Sequence, residues 1–189
     1  MQSGETVLVF NPPSKDSAFK SPRFQANMVL ISKNDKDFNG AESIGSKDEG
    51  KQILAITGPG EYESGGIHIK GILNSDNSNT VYTLEFEDIK ICHLGAFDEK
   101  DLKPEMKEEV GEVDILFAPI SEDDGERAGK LIAQLEPKIA IPMHFKEGAL
   151  KKFLKEVGES GIQPMDKLTI KKKEMSDQKT RVVVLSPML

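Results

Sequence analysis

Cysteine occurs once in the 189 residues, as Cys92. A single thiol cannot build an internal disulfide framework, so nothing in the chain points to an oxidising compartment. Cys92 lies in the apolar stretch Ile89 to Leu94, where a buried inert thiol is expected rather than a nucleophile. No apolar run is long enough to span a bilayer. The opening Met1-Gln2-Ser3-Gly4-Glu5 lacks the charged and apolar segments of a secretory signal. No membrane association is expected, and the cytoplasm is the default location. Positive charge is in deficit, with 25 Lys+Arg against 32 Asp+Glu and a net charge of −7. A surface of that sign repels phosphate backbones, so no nucleic-acid partner is expected. The short basic clusters Lys151-Lys152 and Lys171-Lys172-Lys173 read as solvated faces of amphipathic elements. No Gly-x-Ser-x-Gly elbow occurs. Gly58-Pro59-Gly60 lacks the Lys-Ser/Thr pair and helix start of a phosphate loop and reads first as a turn.

What remains is a globular composition, 37% hydrophobic and 30% charged, suited to a single domain over residues 1–189. Apolar runs predict strands at Val7–Phe10, Asn27–Ser32 and Ile53–Ile56, separated by polar loops, with residues 38–50 read as loop or turn. Gly66–Ile72, Thr80–Phe86 and Ile89–Leu94 read as a meander whose last two strands turn at Glu87-Asp88. Beyond residue 100 the pattern alternates: helix Leu102–Val110, strand Val113–Ile120, and a helix capped by Ser121 that runs to Leu135. Strand Ile139–Met143 and helix Glu147–Val157 follow, the helix stopped by Gly158. Leu168–Met175 and Arg181–Leu185 read as a closing hairpin around Ser176-Asp177-Gln178. A meander followed by alternating helices and strands implies an α/β sandwich with sheets inside and helices outside.

Four short pieces then fall in order: the loop Ser32-Lys33-Asn34-Asp35-Lys36-Asp37-Phe38, Gly58-Pro59-Gly60-Glu61-Tyr62-Glu63, His93-Leu94-Gly95, and Ile141-Pro142-Met143-His144-Phe145. Together they resemble the small metallo-β-lactamase-fold hydrolases, the branch of Zn-dependent hydrolases of the β-lactamase fold. The resemblance covers nearly the whole chain. It implies a four-layer αββα sandwich with one or two metals at the strand ends. A metal-bound hydroxide there attacks an ester, lactone, amide or phosphodiester, because the ions lower the pKa of water and polarise the scissile bond. Relatives usually carry one more N-terminal strand, which the chain is expected to lack.

The departures from that pattern are concentrated in the metal loop. The family reads Thr-His-x-His-x-Asp-His where this chain has Ser32 to Phe38, so three histidines are Lys33, Asp35 and Phe38 and only Asp37 is kept. The family's Asp-Pro after the first strand is Asn11-Pro12, and its bridging aspartate is Ala96. His144, Glu61 and His93 match the branch. The metal donors implied are therefore Asp35, Asp37, His93, His144 and Glu61, enough for one divalent ion (Zn or Mn) or for none.

Each donor also has a plain alternative. His93 shares its face with Ile89 and Ile91 and suits a hydrogen-bonded core histidine. His144 suits a loop-orienting role, and His68 faces solvent from between two isoleucines. Without an ion, the loop's carboxylates need another partner, and Lys33 is expected to pair with Asp37 or Glu61. Two functions follow from the resemblance. One is a catalytically degenerate relative kept as a binding or regulatory module, with a small-molecule or protein partner or a homo-oligomeric contact. The other is an active single-metal hydrolase of a small ester, lactone or phosphodiester.

Overall fold

A computed structural model of the chain describes all residues except 21–23, 121–124, 176–178 and 187–189. The described residues gather into two compact units, Met1–Tyr82 and Thr83 onward.

In the first unit, β1 (Gln2–Ser3) turns at Gly4 into β2 (Thr6–Phe10) and pairs antiparallel with it. β2 then pairs in parallel with β4 (Met28–Leu30), and β4 in parallel with β6 (Leu54–Ile56). All three residues of β4 are buried, as expected for a central strand covered on both faces. β3 (Gln25–Ala26) pairs with β5 (Gly45–Ser46). That pairing brings Ile44 beside Ala26, Val29 and Ile31 in one apolar cluster. The stretch read as loop from 38 to 50 thus contains a 3-10 turn, Ala41–Ser43, as well as β5.

The first unit also holds a hairpin of β7 (Gly60–Ser64) and β8 (Ile67–Leu73). Its turn is Gly65-Gly66, at φ 59° and 75°, angles that glycine adopts without steric cost and that suit a tight hairpin. Ile67, Ile69 and Ile72 are buried as expected, and His68 is exposed beside Glu63.

β9 (Thr80–Phe86) carries the chain into the second unit, where β10 (Ile89–His93) follows across Glu87-Asp88, both at positive φ. β10, β11 (Ile115–Pro119), β12 (Ile139–Met143) and β13 (Arg181–Val182) pair in parallel. Parallel neighbours need crossovers. These are supplied by α1 (Pro104–Val110), α2 (Gly125–Leu135) and α3 (Glu147–Glu156). Pro104 sits in the first turn of α1, where its missing N–H is no loss. α2 and α3 approach closely at Gly125, where a Cβ would stand 2.7 Å from the Phe153 nitrogen.

The closing hairpin is not formed among the described residues. Arg181–Val182 instead extends the parallel sheet beside Ile139–Ala140, and Leu168–Lys171 carries no strand. Lys172–Glu174 forms a 3-10 turn that delivers the Lys172 ammonium to the buried carboxylate of Asp114. Lys172 is therefore an ion-pair partner and not part of a solvated face, whereas exposed Lys151 pairs with Glu147 one helical turn away. The Ser121 cap and the Ser176–Gln178 turn lie outside the described residues. Cys92 is fully buried, and burial pushes its thiol pKa far up.

Candidate functional site

The loop that follows β4 in the first unit is built on Asn11. At φ 46°, Asn11 turns its side chain so that Oδ1 accepts the Ser32 N–H at 2.8 Å. Its own N–H donates to the Leu30 carbonyl at 2.9 Å. The amide nitrogen of Asn11 and the hydroxyl of Ser32 are both buried and, among the described residues, have no hydrogen-bond partner. Such atoms are uncommon and costly in a protein interior.

Beyond Ser32 the chain folds on itself. The Asp35 carbonyl accepts the N–H groups of Phe38 and Asn39, each at 2.9 Å. Asp35 Oδ1 accepts the Asp37 N–H at 2.9 Å, a local Asx turn. Asp37 Oδ1 accepts the Ser17 hydroxyl at 2.6 Å. The loop is tied down at two further points, Ser14 N–H to the Lys36 carbonyl at 2.8 Å and Gly40 N–H to the Pro12 carbonyl at 2.7 Å. Gly40 is required there, because a Cβ would fall 2.1 Å from the Pro13 oxygen.

The expected pairing of Lys33 with Asp37 or Glu61 does not form. Lys33 is half-buried, and its ammonium has no ion-pair or hydrogen-bond partner among the described residues. Glu61 stands exposed on β7, opposite Lys70 in the hairpin register. The Asp37 carboxylate accepts the Ser17 hydroxyl instead.

Two tyrosines fix the same region. The Tyr82 hydroxyl, fully buried, lies 2.8 Å from the Ile31 carbonyl, 3.2 Å from that of Ile56 and 3.4 Å from that of Gly58. It has one proton to share among three acceptors. Burial, with the neighbouring Tyr62 adding to it, pushes the Tyr82 pKa far up, so the phenol stays protonated. Tyr62 reaches the Gly58 and Pro59 carbonyls at 3.1 and 3.0 Å. One phenol thus joins the end of the strand before the metal loop to the end of the strand before Gly58-Pro59-Gly60. Neither tyrosine is assigned this role by the sequence, although Tyr62 stands in the Gly58–Glu63 piece. The available signal was a buried tyrosine in an apolar strand, whose hydroxyl needs a partner.

In the second unit, His93 closes β10 and is 3% exposed. Its Nδ1 accepts the Gly95 N–H at 3.1 Å, which places the ring proton on Nε2. The ring packs against Phe117 with centroids 5.5 Å apart. Burial, reinforced by the nearby His144, pulls its pKa down to about 3, so His93 is neutral at any ordinary pH. His144 follows β12 at φ 53°. The residue as a whole is open to solvent, yet its ring rests against enough protein for desolvation to lower its pKa. Ala96 is half-buried and brings no carboxylate.

The five expected donors therefore fall into two groups, Asp35, Asp37 and Glu61 in the first unit and His93 and His144 in the second. Among the described residues, no three His, Cys, Asp or Glu side chains gather into a group that could hold a metal ion. Nor is any helix among them long and apolar enough to cross a membrane.

No curated protein is similar enough to the chain to match. Among solved structures, the chain is similar to a protein of Thermotoga maritima proposed to be a Zn-dependent hydrolase of the metallo-β-lactamase superfamily. The two share 27% identity at a TM-score of 0.72, over 94% of this chain and 88% of the other. It is also similar in fold to a proposed metal-dependent hydrolase of Parabacteroides distasonis, with 17% identity, a TM-score of 0.60 and coverage of 94% and 85%. A third similarity in fold is to the metallo-hydrolase Igni18 of Ignicoccus hospitalis, with 18% identity, a TM-score of 0.54 and coverage of 86% and 78%. The fold of the chain is thus the metallo-β-lactamase fold. A family model for the β-lactamase superfamily domain matches residues 1–144, and the chain belongs to that family.

Proposed function

We propose that this chain is a metallo-β-lactamase-fold hydrolase relative whose metal centre has degenerated and which serves as a binding or regulatory module. The observation that carries the reading is the local hydrogen bonding of the loop's carboxylates together with the loss of its imidazoles. Asp35 Oδ1 is spent on the Asp37 N–H and Asp37 Oδ1 on Ser17, while Lys33 brings an ammonium where the family has an imidazole. Phe38 has no lone pair. His93 Nδ1 is already an acceptor for Gly95. As a donor set these residues do not fit two ions. The net charge of −7 supports a protein or small-molecule partner over a nucleic acid.

Thermal unfolding with and without added Zn or Mn tests this. A ligand at 100 times its Kd stabilises the native state by about 2.7 kcal/mol. A degenerate site gives no shift in midpoint with either ion. A shift of several degrees that chelator reverses supports the second reading, an active single-metal hydrolase of a small ester, lactone or phosphodiester. That reading is favoured by the survival of Asp37 and His144, two donors of the family's own type.

A further inference from the structure

The last strand of the second unit leaves a groove along its outer edge. The N–H groups of Arg181 and Val183 donate to the carbonyls of Lys138, just before β12, and of Ala140 on it, at 2.8 and 2.9 Å. Backbone direction alternates along a strand, so the N–H and C=O of Val182 face the other way, toward the edge. On that side, among the described residues, the backbone hydrogen bonds from the segment Glu159–Met165 reach the chain just beyond β13. There Met165 N–H donates to the Val184 carbonyl at 2.9 Å and Ser186 N–H to the Met165 carbonyl at 3.0 Å. At the other end the two segments are spanned by a Lys179–Glu159 ion pair at 2.9 Å. Lys179 is well exposed, and a pair of that kind opens readily. Between these two ties lies a groove of about 410 Å³, lined by Ile162, Met165 and Val182–Val184.

The geometry points to this groove as a strand-addition site for a short extended peptide that carries an acidic side chain. Three features select that occupant. The backbone groups of Val182 are turned to the groove and match the ladder of an added strand. The apolar walls formed by Ile162 and Met165 suit alternate side chains of such a strand. Arg181, exposed at the groove, has no ion-pair partner among the described residues, and a carboxylate on the peptide supplies one. A tie-to-tie span of three or four residues needs roughly 10–13 Å of extended chain at about 3.3 Å per residue. This inference rests on the binding-module reading for its biological role but not for its geometry, since no residue of the metal loop lines the groove.

The test uses the full chain and an acetylated, fluorescein-labelled hexapeptide of alternating valine and threonine with one central glutamate. Saturable binding is expected. It should weaken about tenfold, or 1.4 kcal/mol, when the central peptide nitrogens are methylated, because methylation removes the ladder bonds alone. Arg181→Glu should lose the glutamate peptide and gain its lysine counterpart, and a restored charge pair shows that the variant is folded. Slowed exchange of the Val182 amide on peptide addition gives a readout independent of any variant. No binding at about 1 mM peptide, equal binding of the methylated peptide, or occupation of the groove by a second copy of the chain would each overturn the proposal. Metal uptake measured on the same sample separates the two readings, because bound metal contradicts the module reading and leaves the peptide result to stand or fall by itself.

Discussion

The carboxylate of Asp37 accepts the hydroxyl proton of Ser17 at 2.6 Å, across a sequence separation of 20 residues. Asp37 is the one position of the metal loop that keeps the family's residue, and its Oδ1 is engaged by a neutral donor. A hydrogen bond to an ionised group is worth about 1.5–3 kcal/mol when well buried. Both residues here are half-buried, so Ser17→Ala should cost about 1 kcal/mol in urea unfolding. A variant as stable as the parent would mean that the Ser17 hydroxyl does not hold the loop in solution.

Tyr82 ties the carbonyl of Ile31 to those of Ile56 and Gly58 with one hydroxyl. Tyr82→Phe keeps the ring and its burial and removes only the donor. A loss of about 1–2 kcal/mol is expected, with faster amide exchange in residues 32–40 than in β11 or β12. Uniform acceleration across the whole chain would instead assign Tyr82 a purely global role.

His93 has a pKa pulled down to about 3 from its ordinary 6.5, by burial first and by His144 second. Between those values the unfolded chain binds a proton that the folded chain does not. Stability therefore rises with pH across that window and falls as pH drops below about 6.5, by up to ~1.4 kcal/mol per pH unit for one proton. His93→Asn keeps an acceptor for the Gly95 N–H and removes the titration. Denaturant midpoints measured from pH 4.5 to 7 should slope less steeply in that variant, and an unchanged slope would place the proton uptake elsewhere.

Asp114 is 4% exposed and receives the Lys90 N–H at 2.8 Å, Lys138 Nζ at 3.2 Å and the Lys172 ammonium. Burial alone would raise its pKa. The bonds from Lys172, the Lys90 backbone and Lys138 outweigh that and hold it below its ordinary 3.8. The contribution is complete above that value and is lost as pH falls through the lower folded value. Removing one member of a buried ion pair costs about 3–5 kcal/mol. With the two lysine side chains 27% and 41% exposed, Asp114→Ala should cost about 2–3 kcal/mol at pH 7. The loss should shrink below pH 4, and a pH-independent loss would assign it to packing.

Much of the fold was legible because burial writes itself into composition. Ile115–Pro119 and Ile139–Met143 are continuous apolar runs, and α3 carries Leu150, Phe153 and Leu154 at i, i+3 and i+4, the last two buried. Gly60–Ser64 was not legible as a strand, since three of its five residues are exposed and its pairing depends on the hairpin register with β8. The closing strand went astray for a related reason. Arg181 and Val182 read equally well in a local hairpin or beside β12, and only tertiary contact decides between them. At the candidate site, the loss of histidines was visible residue by residue. The partners of what remained were not. Ser17, Gly95 and the three carbonyls around Tyr82 reach their places through backbone geometry that residue types do not encode. Lys33 shows the limit of charge logic, for a cation beside two carboxylates in sequence makes no ion pair in space among the described residues.

Metal content bears most directly on the claim that the centre has degenerated. Untagged protein, prepared without chelator, is loaded with Zn or Mn, freed of excess ion and analysed by mass spectrometry beside an Asp37→Ala/His144→Ala variant. A degenerate centre retains far less than one equivalent of either ion, and the parent and the variant are indistinguishable. Near-stoichiometric metal in the parent that is lost in the variant would contradict the claim and restore the single-metal hydrolase.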